Sequence, residues 1–552
     1  MTHQPWYDHR PRQGAVPDNP YASGGHDGAR TPGPAVPGSG PGPAVGPGPA
    51  VGPGPGFGPG PGFGDGPASG SGPGAPPPRR RRPGPLPLLA AVLALLLVAA
   101  GGAYLLKERA ADRRGTDAAP GPSATASPGV RPPRTTAPVP EAERIPTGAE
   151  LAAARKPGEA AAWIAQDPTD LPRGSTLAHD LWIVGDTVVQ ALYKKVTARR
   201  LSDGAELWSV PLPHPVCETP VDTTPDGRVV VVHRNRDSQQ GSRCNQMRMI
   251  DLRTGRQGWH KELVQTGTLD STIIVHTAVS GDTVAVVQNM KAAAYRISDG
   301  GRLYDIPKED PGGCYPDDVA GGRRLLVTAT CALGAEGKAY SRIRSLDPAT
   351  GRVLWRHDTP KGRKLGKVLS VEPAVITTLD AEVYAEDWRV VALGPDGRVR
   401  GTVDARGKGF KHCADAGDAG QGVQNCPGAV VGPHTVFLGT EGRVGAYDLT
   451  TGKLLWGVRE NSGRRLYPLA AAGPAVVVYE AATPSRPGLV RRIGPGAEKA
   501  VLLQRHPAAA GKHEYETLAG NLAYVRGRLV VGPSTVSGDD HRPVPRLLSF
   551  AP

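Results

Sequence analysis

The sequence predicts an all-β domain. It reads as an eight-bladed β-propeller of four-stranded antiparallel blades, with a seven-bladed ring as the alternative. A disordered Pro/Gly-rich tail and one transmembrane helix precede it. Three observations predict this. A strand–turn–strand pattern recurs about every fifty residues over the carboxyl-terminal two thirds. Aromatic residues make up only 5% of the chain, too few for one large helical core. Gly and Pro (74 and 58 of 552 residues) exceed what an evenly packed globular chain carries, and the excess is concentrated near the amino end.

Residues 1–84 form the tail. Four hexads from Gly40 to Phe63, two GPGPAV and two GPGPGF, place Gly at every second residue, whereas a collagen triple helix requires every third. Such a segment buries too little apolar surface to offset its ordering entropy, so it reads as a solvated spacer with polyproline II character. The net charge of +13 divides into +3 over residues 1–85, +2 over 107–160 and +8 over the remainder. No dense basic stripe is present to neutralise phosphates, which excludes nucleic acid as a partner.

Residues 85–106 are the span. Leu86 to Leu106 is a run of uncharged residues, LPLLAAVLALLLVAAGGAYLL. Twenty-one residues at about 1.5 Å each reach about 31 Å, the thickness of a hydrocarbon core. Basic residues flank both sides (Arg79 to Arg82 before, Lys107, Arg109, Arg113 and Arg114 after), so the positive-inside rule is close to a tie. The cysteines break it. All six (Cys217, Cys244, Cys314, Cys331, Cys413 and Cys426) follow the span, pointing to an oxidising compartment on that side. The expected topology is a signal-anchored, single-pass protein of the cell membrane with a cytoplasmic amino terminus and an extracellular domain.

Residues 107–158, rich in Ala, Pro and Thr, read as a flexible linker, and 159–552 as the propeller domain. The best repeat copies are SLDPATGRVLW (Ser345 to Trp355) and AYDLTTGKLLW (Ala446 to Trp456). Weaker copies end at Trp208, Trp259 and Tyr304. The last apolar or aromatic residues before the turns are Leu201, Ile250, Ile297, Leu346, Leu393, Tyr447, Ile493 and Phe550. Each unit reads as two alternating strands, a third strand, an Asp/Gly turn and a fourth strand; Asp caps the turn, and Gly supplies the positive φ it demands. The last unit stops at RLLSFAP, after its third strand. Near the start of the domain AAWIAQDP (Ala161 to Pro168) lines up with the fourth strands of other units. Ala161 to Gln166 is therefore expected to complete the last blade and fasten the ring, which removes exposed sheet edges. The competing reading of this stretch is an Ala-rich helix from Ala149 to Ala165.

The D-x-x-T-G-x-x-x-W pattern at Asp347 to Trp355 and Asp448 to Trp456 resembles the pyrroloquinoline-quinone-type repeat of quinoprotein alcohol dehydrogenase-like propellers. The abundance of Ala, Gly, Pro and Arg points to a GC-rich bacterial genome, and the resemblance is to a membrane-anchored bacterial protein of the actinobacterial type. The resemblance covers roughly residues 160–552 and implies that Trp163, Trp208, Trp259, Trp355 and Trp456 dock between neighbouring blades. Family enzymes use a quinone with calcium, a catalytic Asp and a disulfide between adjacent cysteines. No two cysteines are adjacent here, the nearest pair being Cys413 and Cys426, and the blades lack the insertions that build the enzymes' site.

The cysteines have another use. Cys217, Cys314 and Cys413 precede their anchors by 33, 32 and 34 residues, and each has one partner downstream in its own unit. Cys217–Cys244, Cys314–Cys331 and Cys413–Cys426 are the simplest pairing of the fifteen possible. A metal site from Cys217, Cys413, His214 and His412 is the alternative, without any CxxC or HxxxH spacing. His179, Asp180, Glu372, Asp380, His513 and Glu514 fall near strand starts, where they could line the channel. Asp415 and Asp418 could hold calcium, although a solvated loop explains them as well. No catalytic or cofactor-binding residue is assigned. The expectation is a non-catalytic propeller, displayed outside the cell to sense a ligand or bind an extracellular protein. The alternatives are a quinone-dependent oxidoreductase and an envelope-assembly scaffold.

Overall fold

The computed structural model describes residues 6–8 and 144–552, apart from 167–170, 173–175, 239, 309–312, 332–337, 382–383, 406–407, 414–421, 425, 497–499, 518 and 539–543. Eight antiparallel sheets follow one another around a ring, each with four strands of its own. Blade 1 runs Thr176–Val184, Thr187–Leu192, Lys195–Arg200 and Glu206–Pro211 from the channel outward, and the next six blades repeat that order. Blade 8 is assembled from both ends of the domain. Ala519–Val525, Arg528–Pro533 and Leu547–Ala551 are joined by Ala161–Ala165 as the outermost strand. The clasp is antiparallel, with Ala161 opposite Ala551 and Trp163 opposite Ser549. Eight blades and an amino-terminal clasp are thus the observed closure.

The helical alternative holds for part of the same stretch. Gly148–Ala154 is a helix, started by a capping box in which Thr147 and Glu150 exchange hydrogen bonds. It ends before Pro157, which lacks the amide to continue it, and Gly158 at φ +81° turns the chain into the strand. Leu151 of this helix is buried against Ala510, Tyr479 and Phe550, so the ordered body begins earlier than the linker boundary expected at residue 158.

The core is divided into wedges. Eight apolar clusters occupy the eight junctions between neighbouring blades, including blade 8 against blade 1 (Trp163, Val188, Leu201, Val530 and Leu547). The repeat motif explains how the wedges are capped. In blade 4 one Asp347 carboxylate oxygen accepts the amides of Ala349 and Thr350 and the Thr350 hydroxyl, at 3.1, 2.9 and 2.8 Å. That turn places Gly351 at φ +74°, and the ring of Tyr304 from the preceding blade lies where a Cβ would stand. Gly204, Gly255, Gly300 and Gly397 receive Trp163, Trp208, Trp259 and Trp355 in the same way. The indole nitrogens of Trp163 and Trp259 then donate to the carbonyls of Leu201 and Ile297, both at 2.8 Å, and that of Trp456 donates to Pro474 at the same distance. The glycine of the motif is thus both turn former and socket.

Three disulfides, Cys217–Cys244, Cys314–Cys331 and Cys413–Cys426, account for all six cysteines. The sulfurs of Cys217 and Cys413 are therefore not metal-ligating thiolates, which excludes the alternative site with His214 and His412. A short strand, Trp6–Asp8, runs parallel to the outer strand Leu454–Arg459 of blade 6. Among the described residues no helix is long and apolar enough to cross a membrane; Leu86–Leu106 lies outside them.

Candidate functional site

The axial channel collects the buried ionisable groups. Six inner strands carry a register break midway: between Ala178 and Leu181, Val216 and Glu218, Pro316 and Asp318, Leu365 and Val368, Pro468 and Ala470, and Ala519 and Asn521. A bulge interrupts the alternation of a strand and re-aims side chains. His179, Asp180, Glu218, Thr219 and Asp318 line the channel beside these breaks, together with Thr277 from the regular inner strand of blade 3. Lys367, from the bulge of blade 5, is buried beside them at 5% exposure.

The channel is plugged. The connection from blade 5 to blade 6, closed on itself by Cys413–Cys426, carries Gly422–Gln424 onto the channel lining. The Val423 amide donates to Asp318 Oδ2 at 3.0 Å, and its carbonyl accepts from the Val368 amide at 2.7 Å. Gln424 pairs with the backbone of Gly321 in both directions, at 2.7 and 3.2 Å, and its amide also reaches Asp222 at 3.3 Å. Lys367 Nζ donates to the Gly422 carbonyl at 2.8 Å. The cavity that remains is about 30 Å³, room for one or two water molecules.

Burial sets the protonation of this cluster. It pushes Asp180 up to about 6 and Asp318 up to about 7. Burial, then the nearby Asp318 charge, holds Glu218 well above the ordinary carboxylate range, although the Thr277 amide donates to it at 3.0 Å. Burial depresses His179 to about 4 and also lowers His276. At pH 7 Asp180 is thus mostly ionised, Asp318 is about half protonated and His179 is neutral, and Lys367 faces the carboxylate charge that remains. The site holds polar contacts across the ring.

Of the residues the sequence suggested for the channel, His179 and Asp180 are there. Glu372 sits at the rim of blade 5, ion-paired with Arg324 at 3.1 Å. Asp380 closes the second strand of that blade opposite Arg363. His513 and Glu514 lie on the short helix Gly511–Glu516, where Glu514 accepts from His506 at 2.6 Å and Tyr479 at 2.7 Å inside blade 7. Asp415 and Asp418 lie outside the described residues. Sequence reasoning missed Glu218, Asp222, Asp318, Lys367 and Gln424. The signal for the strand residues was a polar pair inside an apolar inner strand, as in CETP and YPDD; nothing marked the plug.

A family profile described as "Outer membrane protein assembly factor BamB", of the PQQ-like repeat type, matches residues 147–313 and 314–486. The chain belongs to this PQQ-like repeat family. Solved structures similar to it include BamB from Moraxella catarrhalis, at 16% identity over 70% of this chain and 99% of that one, TM-score 0.39. Quinohemoprotein alcohol dehydrogenase ADHIIG from Pseudomonas putida HK5 matches at 13% identity, over 74% and 83% of the two chains, TM-score 0.40. The quinohemoprotein alcohol dehydrogenase of Comamonas testosteroni matches at 14%, over 71% and 76%, TM-score 0.41. A search of curated proteins finds no match.

Some members of this fold family carry a quinone with calcium, and the residues present here do not fit that group. Among the described residues Gly422–Gln424 lies in the axial space, and the cavity that it shares with His179, Asp180, Glu218 and Asp318 is about 30 Å³, far smaller than a tricyclic quinone. Among the described residues no three His, Cys, Asp or Glu side chains are placed to share a metal ion.

Proposed function

We propose that this chain is a single-pass membrane protein that displays a non-catalytic PQQ-like propeller outside the cell, as a ligand-sensing or protein-interaction module. The observation that carries the non-catalytic reading is the plug, whose hydrogen bonds to Asp318, Asp222, Gly321 and Lys367 fill the axis a cofactor would need. Three disulfides within one domain support an oxidising compartment. Binding then falls to the loops and blade edges that a rigid ring presents. The uncharged run from Leu86 to Leu106 supplies the anchor.

A span at that position and the pairing of Trp6–Asp8 with the propeller exclude one another within one chain, and we favour the span. Three strand residues gain about 1 kcal/mol per hydrogen bond and lose about as much fixing their backbone. The nine Leu and two Val of the run each favour insertion by roughly 0.5 kcal/mol.

The catalytic question is tested by melting the full chain with and without pyrroloquinoline quinone and calcium, with a dye-reduction assay alongside. The proposal expects no saturable rise in melting temperature and no dye reduction; both together would establish the oxidoreductase. Display is tested on intact cells with a membrane-impermeant crosslinker, which should reach propeller lysines and capture the partner. A propeller labelled only after lysis would contradict it. The family description favours one second reading, an envelope-assembly scaffold, for which the captured partner would be an outer-envelope assembly component.

A further inference from the structure

The turn that leads into the outer strand is one residue short in blade 5. In blades 1, 2, 3, 4 and 6 the amide of the motif glycine bonds the carbonyl four residues back: Gly204 to Arg200, Gly255 to Asp251, Gly300 to Arg296, Gly351 to Asp347 and Gly452 to Asp448. Gly397 bonds Gly394, three back. In blades 1, 2, 3 and 6 the residue after that carbonyl is Leu201, Leu252, Ile297 or Leu449. Each is buried in the junction with the preceding blade, and its amide ties the turn to the loop between the first two strands at 2.8 or 2.9 Å. In blade 5 that place falls to Pro395, which has no amide to give. Blade 4 has Pro348 there, but its full-length turn brings the Pro348 carbonyl to the Tyr304 hydroxyl at 2.9 Å. A Cβ on Gly394 would have only Asp396 and Arg398 of its own turn within 4 Å. A cavity of about 360 Å³ remains, lined by Trp355 of blade 4 and by Val371, Pro373, Leu393 and Pro395 of blade 5. Trp355, Val371 and Leu393 belong to the apolar cluster of this one junction, so the lining lies between the same two blade faces.

The lining has donors to spare and few acceptors. At other junctions the indole donates to the turn it docks on, Trp163 to Leu201 and Trp259 to Ile297. The Trp355 N–H has no acceptor among the described residues and, unlike that of Trp208, is not sealed from solvent. The other polar side chains of the lining are Arg324, Glu372 and Arg400. Glu372 is engaged by Arg324 at 3.1 and 3.2 Å. Arg400 holds Thr450 and His434 of blade 6 at 3.0 and 3.2 Å and keeps further N–H groups free to donate. An occupant must therefore bring acceptors, and any amide donor it brings would go unmet. Proline satisfies both demands, with a carbonyl, an apolar ring and no N–H. Charge at the mouth adds a second requirement. Arg323, Arg324, Arg398 and Arg400 stand against Glu372 and Asp396, four arginines to two carboxylates. Arg323 and Arg398 are 86% and 90% exposed, open to an acidic group. We propose that this cavity docks an extended, proline-bearing acidic peptide presented by a partner protein. The indole N–H bonds a peptide carbonyl, proline rings pack on Trp355, Pro373 and Pro395, and the acids meet Arg398 and Arg400. A proline-rich segment already holds its extended conformation, so it loses little entropy on docking in an aromatic-lined groove.

The inference rests on the protein-interaction reading above and names the class of partner. The test is calorimetric titration of the full chain in zwitterionic nanodiscs, with empty nanodiscs as blank. The probe is the acetylated, amidated hexapeptide APPEPE, with AAAEAE and APPKPK as counterparts that remove the prolines or reverse the charge. The expected result is saturable binding of APPEPE with a Kd below about 1 mM, several-fold weaker binding of AAAEAE and none of APPKPK. Trp355→Phe keeps a ring on Gly397 and removes the donor, and should weaken binding about fivefold, the worth of one hydrogen bond. Trp259→Phe, the same change at another junction, should leave the affinity unchanged. Arg400→Gln should weaken binding several-fold and decides the matter should Trp355→Phe fail to fold. No saturable binding of APPEPE, equal binding of either counterpart, or unchanged affinity in Arg400→Gln or in a folded Trp355→Phe would each overturn the proposal. So would an equal loss in Trp259→Phe. Crosslinked capture of a partner on intact cells by a chain that ignores APPEPE would sink this site and leave the proposed function standing.

Discussion

Gln424→Ala should open the channel without unfolding the ring. The side chain makes three hydrogen bonds, two to the backbone of Gly321 and one to Asp222. Each contributes about 1 kcal/mol net at a partly exposed position, and the amide of Gly321 is left inside without its partner. The plug therefore loses about 2–3 kcal/mol of local stability, which multiplies the open population by roughly 30–150. Native-state hydrogen exchange reads this directly at the amides of Val423 and Val368, which bond Asp318 and the plug carbonyl. Both should exchange faster by that factor, while amides of the clasp at Ala161–Ala165 keep their rate. Unchanged exchange at Val423, or equal acceleration everywhere, would refute the assignment of Gln424 as the pin of a local plug.

Four other outcomes follow from the same structure. Trp163→Ala removes a buried indole from its socket on Gly204 and its bond to Leu201, a loss of about 4 kcal/mol. With an unfolding entropy of about 2.1 cal/mol/K per residue over roughly 390 residues, calorimetry should show the melting temperature fall by about 5 °C. Replacing Cys314 and Cys331 together by Ser reopens a loop of 17 residues and should cost about 3 kcal/mol in urea denaturation. His506→Ala leaves the buried Glu514 carboxylate without its 2.6 Å partner, and the same assay at pH 7 should register a loss of about 3–5 kcal/mol. Asp318, raised to about 7 by burial, stabilises the fold below its unfolded value near 3.8 and loses that contribution as the pH rises toward 7. His179, lowered to about 4, acts oppositely, weakening the fold as the pH falls from 6.5. Asp318→Asn should therefore gain stability relative to the wild type with rising pH, by up to about 1.4 kcal/mol per unit between pH 4 and 7, measured by urea midpoints.

Much of the ring was legible in the sequence, because each turn repeats a chemical requirement. Asp347 and Asp448 cap their turns, Gly351 and Gly397 leave room for an aromatic side chain, and the spacing of the cysteines follows the spacing of the blades. The clasp was readable for the same reason, since AAWIA reproduces the fourth-strand pattern before a truncated last unit. The adjacent helix was half visible: Ala-rich sequence favoured it, but only Pro157 and Gly158 fix where it stops. The channel was less readable. Bulges at Glu218, Asp318 and Lys367 break the two-residue period on which strand reading depends, and their side chains meet only after closure. The plug joins Gln424 to Gly321 and Asp222, 103 and 202 residues away, and no local pattern encodes such a meeting.

The channel and its plug both presuppose a ring shut by its own first strand. Hydrogen exchange of the full chain measures that closure at the amides of Ala161–Ala165. The closed ring predicts that the alternate amides of this outermost strand that bond Leu547–Ala551 share their partners' protection, lost only on global unfolding. Exchange of the first strand at the rate of a free peptide, while Leu547–Ala551 stays protected, would contradict it.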